Sequence, residues 1–86
     1  MPRISYFFGI AIYIYYREHQ PPHFHVIYGE AEALLSIESL AVLEGRLPAR
    51  ALGLVIEWAS LHQSDLHRAW QQAIAQQPID PIDPLY

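Results

Sequence analysis

Three of the chain's five histidines fall between positions 19 and 25, inside the stretch EHQPPHFHVIYGE at residues 18–30. Histidine titrates near neutral pH, and its neutral ring nitrogens are good metal ligands. His23 and His25 are two apart in a segment of strand character, so their rings project to one side, roughly 7 Å apart at Cα. With His19, or with Glu32, as third ligand the pair could chelate zinc or nickel and leave a fourth position open. Alternatively, His23 and His25 could work as general acid and base on RNA, helped by His19 and Tyr15, with Arg17 nearby. That chemistry also needs a positive field where charge develops. The plainest account is structural. Imidazoles bonded to loop carbonyls beside Pro21 and Pro22 would simply fix where a strand begins.

Charge and composition bear on this choice. Five basic residues, all arginines, face nine acidic ones, for a formal net charge of −4. This opposes the basic footprint of a general nucleic-acid binder. The absence of lysine removes Schiff-base and P-loop chemistry, and the absence of cysteine removes disulfides and thiolate metal sites. No motif requires a cofactor, and zinc or nickel at the histidines is the one the residues admit. At 52% apolar and 16% charged, the 86 residues form one folded domain with a modest core. The apolar run ISYFFGIAIYIYY is rich in aromatic residues and short of the ~20 needed to span a bilayer. It reads as strand, in a cytoplasmic protein without a membrane segment.

The elements that must position the histidines follow from periodicity. Ile4–Phe8 is a short extended piece ending at a bend or bulge at Gly9. From Ile10 to Tyr16 apolar residues alternate, with Ile10, Ile12 and Ile14 on one face and Tyr13 and Tyr15 on the other. Strands follow at His23–Tyr28 and Ala31–Glu38, joined tightly at Gly29-Glu30, with a brief extended segment at Ala41–Glu44. Beyond Pro48 an apolar stripe of helical spacing runs through Ala51, Val55 and Trp58 and continues past His62 to Trp70. One long or kinked helix, or a pair with Ser64 capping the second, satisfies it equally. The expected fold is α+β: a small antiparallel sheet of about three strands on that helical layer. Residues 1–76 form the domain, and residues 77–86 form an extended, proline-spaced tail along the surface or on a neighbour. Phe24, Val26, Tyr28, Ala33, Leu35 and Ile37 should join the isoleucines facing the helices. Tyr13, Tyr15, His23, His25, Ile27, Glu32, Leu34 and Ser36 should face away. His62 and His67 read as helix-surface residues, and Trp58 and Trp70 as core or interface.

The segments ISYFFGI, PPHFHVIYGE, VLEGRLP and ALGLVIEW, followed by Trp70, resemble a small bacterial family of unknown function numbered 4160. The resemblance runs from about Pro2 to Leu85. In that family the turn before the prolines often reads Asp/Asn-His-Asn; here it is Glu18-His19-Gln20, so His19, His23 and His25 match motif positions. The helix after LEG-x-LP is usually more charged than here. The resemblance implies a member of a toxin–antitoxin-like pair working with a small protein encoded nearby, and it brings neither a catalytic mechanism nor a metal. On this reading Tyr13, Tyr15, Arg17, His19, Ile27 and Leu34 form a protein-binding surface, since tyrosine offers rigid contact area with a polar end. The partner is that small protein, with a homo-oligomer also open. The apolar helix lacks the polar side chains of a base-reading element.

Overall fold

The isoleucine alternation becomes the second strand of a five-stranded antiparallel meander in a computed structural model that describes residues 3–16 and 18–86. Its strands are β1 (Arg3–Phe7), β2 (Ile10–Tyr13), β3 (His23–Tyr28), β4 (Ala31–Ser36) and β5 (Val42–Gly45), ordered in space as in sequence. Two helices follow, α1 (Ala49–Leu61) and α2 (Gln63–Ile74). The class is α+β as expected, but the sheet has five strands where about three were expected. The pieces before Gly9 and after Leu40 pair as full edge strands, too short for alternation alone to establish. Phe8 and Gly9, at φ 51 and 78, make the two-residue turn between β1 and β2. Positive φ at both central positions is what a hairpin of that length requires.

Between β4 and β5 the chain bulges, and the register slips between Leu34 and Leu35. Gly45 is held there at φ 76, where a Cβ would lie 2.2 Å from the Glu32 carbonyl oxygen. The glycine of the Leu-Glu-Gly stretch is thus a packing requirement.

One face of the sheet makes the core. Ile10, Ile12, Ile14, Phe24, Val26, Ala33, Leu35 and Ile37 are fully buried. They pack on Val55, Trp58, Leu66 and Ala69, with the Trp58 ring 5.3 Å from Phe7 and 6.1 Å from Phe24. Tyr28 departs from the expected set: at the strand's last position it is 37% exposed. The helical layer breaks at His62, whose backbone leaves helical geometry and serves as both the C-cap of α1 and the N-cap of α2. Ser64 is therefore inside α2 and does not cap it. The His62 ring lies tilted against Trp58, centroids 5.7 Å apart, and bonds Asp65, more than a surface role.

The proline-spaced tail is extended, and it belongs to the core. Ile82 is buried, its N–H donates to the Ile4 carbonyl, and the Trp58 indole N–H donates to the Asp83 carbonyl at 2.8 Å. The tail thereby lies along β1, one edge of the sheet. Among the described residues no helix is long and apolar enough to cross a membrane.

Candidate functional site

Strand parity sets the site. Phe24 and Val26 point to Trp58, so His23, His25 and Ile27 project from the other face of β3. His25 pairs in register with Tyr13 on one side and Leu34 on the other. The two imidazoles are 5.3 Å apart between centroids. His25 meets the edge of the Tyr15 ring at 4.4 Å, and Tyr15 stacks in turn on Tyr13 at 6.0 Å. His23, first in its strand, departs from the expected open face: it is 5% exposed and packs on Trp70 of α2, ring centroids 5.3 Å apart, and its strand partner Ser36 is buried with it.

The loop before β3 supplies the group that joins them. Glu18 turns its carboxylate back over the strand, with Oε1 accepting from His25 Nε2 at 2.5 Å and Oε2 3.3 Å from His23 Nε2. The three side chains put ligand-type atoms within 4.8 Å of one another. His23 Nδ1 lies 2.8 Å from the Pro21 carbonyl. A carbonyl only accepts, so Nδ1 carries the proton there. The ring's other nitrogen, Nε2, faces Glu18 and is buried without a hydrogen-bond partner among the described residues. The outer nitrogen of His25, Nδ1, is likewise buried and unpartnered, with Glu32 Oε2 3.9 Å away. Burial first, then the negative charge of Glu32 and the neighbouring Tyr13 and Glu18, raises the Tyr15 phenol above its ordinary value of 10.0. Tyr15 is accordingly a neutral hydrogen-bonding group at physiological pH.

The cluster opens on a groove between the histidine loop and β5, lined by Glu18, His19, Pro21, His23, Leu43 and Glu44. Of the residues expected to act, the structure brings together His23, His25, Tyr15 and Tyr13, with half-buried Ile27 and Leu34 on the same sheet face. It does not bring in His19, which is exposed on the groove's rim. Arg17 lies outside the described residues. Glu18 is the residue that the sequence did not reveal. Its position in a loop follows no periodicity, and the one available signal was a carboxylate five residues before His23.

Residues 9–71, most of the chain, match the model of a family described as a domain of unknown function, DUF4160. No curated protein and no solved structure matches the chain.

Proposed function

The chain belongs to the DUF4160 family of unknown function, and on that premise we propose that it is a protein-interaction module. Its partner is a small protein encoded nearby, in a cytoplasmic toxin–antitoxin-like pair. The observation that carries this reading is an asymmetry between the sheet's two edges. At β1 the tail supplies a backbone hydrogen bond, from Ile82 N–H to the Ile4 carbonyl. At β5, among the described residues, no backbone hydrogen bond reaches the outer edge, and all four strand residues are exposed, Val42 by 39% and Leu43 by 44%. An open edge with apolar side chains is a template for strand addition, in which main-chain bonds give affinity and neighbouring pockets give choice of partner. Here the neighbouring pocket is the histidine groove, which Leu43 and Glu44 share. Exposed Glu44 on β5, Glu32 on β4 and Glu38 in the turn after it outnumber the one exposed cation directly after β5, Arg46, which favours a basic partner.

Acid–base cleavage of RNA by His23 and His25 has less support. The groove lining carries Glu18 and Glu44 and no arginine among the described residues, so a phosphodiester would meet negative charge.

Co-expression with the neighbouring small protein and size-exclusion chromatography test the proposal. Co-elution at micromolar concentration is expected, and Leu43→Lys should abolish it while leaving thermal stability unchanged. Separate elution of the two wild-type proteins would refute the reading. A dimer of this chain alone, sensitive to the same substitution, would assign the edge to a second copy.

A further inference from the structure

We propose that Glu18, His23 and His25 form a binding site for one divalent transition-metal ion of borderline softness, zinc by preference. The inference does not depend on the partner reading above. It starts from a buried nitrogen that the protein leaves without a partner. The Pro21 carbonyl accepts from His23 Nδ1–H, which directs Nε2 at the Glu18 carboxylate, with Oε2 3.3 Å away. That Nε2 lies in a site 5% exposed at the histidine and has no hydrogen-bond partner among the described residues, which is how a ligating nitrogen is held ready. The same Nδ1–H to carbonyl bond is the outer-shell contact that orients metal-binding histidines and raises the basicity of the ligating nitrogen.

Geometry agrees. Zinc holds nitrogen and oxygen ligands at ~2.0–2.2 Å in a tetrahedron, which places ligand atoms about 3.3–3.5 Å apart. The ligand atoms here lie within 4.8 Å of one another, so small side-chain rotations close the shell. His25 donates its Nε2 proton to Glu18. On metal binding that nitrogen becomes a ligand only if its proton moves, by a change of tautomer, to Nδ1, which faces Glu32 Oε2 at 3.9 Å. Two imidazoles with one carboxylate favour zinc, nickel or cobalt over magnesium or calcium, which prefer oxygen. Three protein ligands leave a fourth position, and Glu18 and His23 both line the groove through which it would be reached.

The test uses untagged full-length protein stripped with a chelator and titrated with zinc chloride alone. Calorimetry should show one ion per chain. Histidine ring nitrogen resonances in ¹⁵N spectra should shift at His23 and His25 and stay in place at His19, His62 and His67. Glu18→Gln and His25→Gln should each weaken binding by at least about tenfold, as loss of a metal-site group typically does, while the exposed-site variant His19→Gln binds like wild type. The proposal is overturned if folded wild-type protein takes up no stoichiometric zinc. It is equally overturned if zinc shifts the resonances of other histidines, or if the Glu18 and His25 variants bind as tightly as wild type. Should a variant fail to fold, the wild-type resonances decide alone.

Discussion

His23 and His25 sit two residues apart on one strand, yet their surroundings differ. His23 is enclosed by Trp70 and anchored through Nδ1 to the Pro21 carbonyl, whereas His25 leans on Tyr15 and donates to Glu18. Parity was enough to turn both rings away from Trp58, because a one-residue shift would expose Phe24 and Val26, but it did not foretell that Trp70 of α2 packs on His23 and buries it. Glu18 obeys no such rule. A loop's course depends on its own turns, so the carboxylate that joins the two rings could not be read from spacing, and His19 stood in its place as the expected third ligand. Gly45 shows the same limit for the backbone. Its type was visible, its reason was not. With φ at 76 and the Glu32 carbonyl 2.2 Å from a would-be Cβ, Gly45→Ala should destabilise the fold by at least ~2 kcal/mol, combining left-handed strain with the clash. A thermal melt should then show a midpoint lower by roughly 10 °C in a domain of this size. An unchanged midpoint would mean that β5 does not approach β4 as described.

At the scale of elements, all five strands were legible as extended pieces, but the pairing of the two outermost was not. A four-residue edge strand with every side chain exposed, such as β5, leaves no alternation in the sequence. The helix break was hidden for a different reason. The apolar stripe runs on through Val55, Trp58, Leu66, Ala69 and Trp70 because both helices pack on the same core, so the periodicity stays in phase across His62. Gln63 holds the junction in place: its side-chain amide donates to the carbonyls of Ile37 at 2.6 Å and Glu38 at 2.9 Å, tying α2 to the turn that follows β4. Gln63→Ala should cost ~1 kcal/mol, since the buried Ile37 carbonyl loses its side-chain donor while the Glu38 carbonyl can turn to water. Urea denaturation measures it, and no change in midpoint would remove the clamp from the account. The tail carries more. Ile82→Ala removes a buried side chain and should cost about 2 kcal/mol or more. It should also release the Trp58 indole from Asp83, shifting tryptophan emission to the red. Wild-type stability in this variant would show that the tail does not seal the β1 edge.

For the whole molecule, the two edges divide the labour. The tail hydrogen-bonds to β1 from within the chain, whereas β5 is exposed along its length, the edge that the proposed partner would take. If that partner is basic, the chain's net charge of −4 would make the encounter electrostatic. Association with a basic partner should therefore slow as ionic strength rises, because screening at ~0.15 M already limits exposed charges to about 8 Å. Stopped-flow association rates in a salt series report this, and salt-independent rates would point to a purely apolar contact. The most direct test of the partner reading is amide hydrogen exchange on the isolated chain and on the co-purified complex. Strand addition predicts that amides in Val42–Gly45 become strongly protected in the complex while those of β1, at the opposite edge of the sheet, hardly change. A complex in which the β5 amides exchange as fast as in the free chain would contradict it.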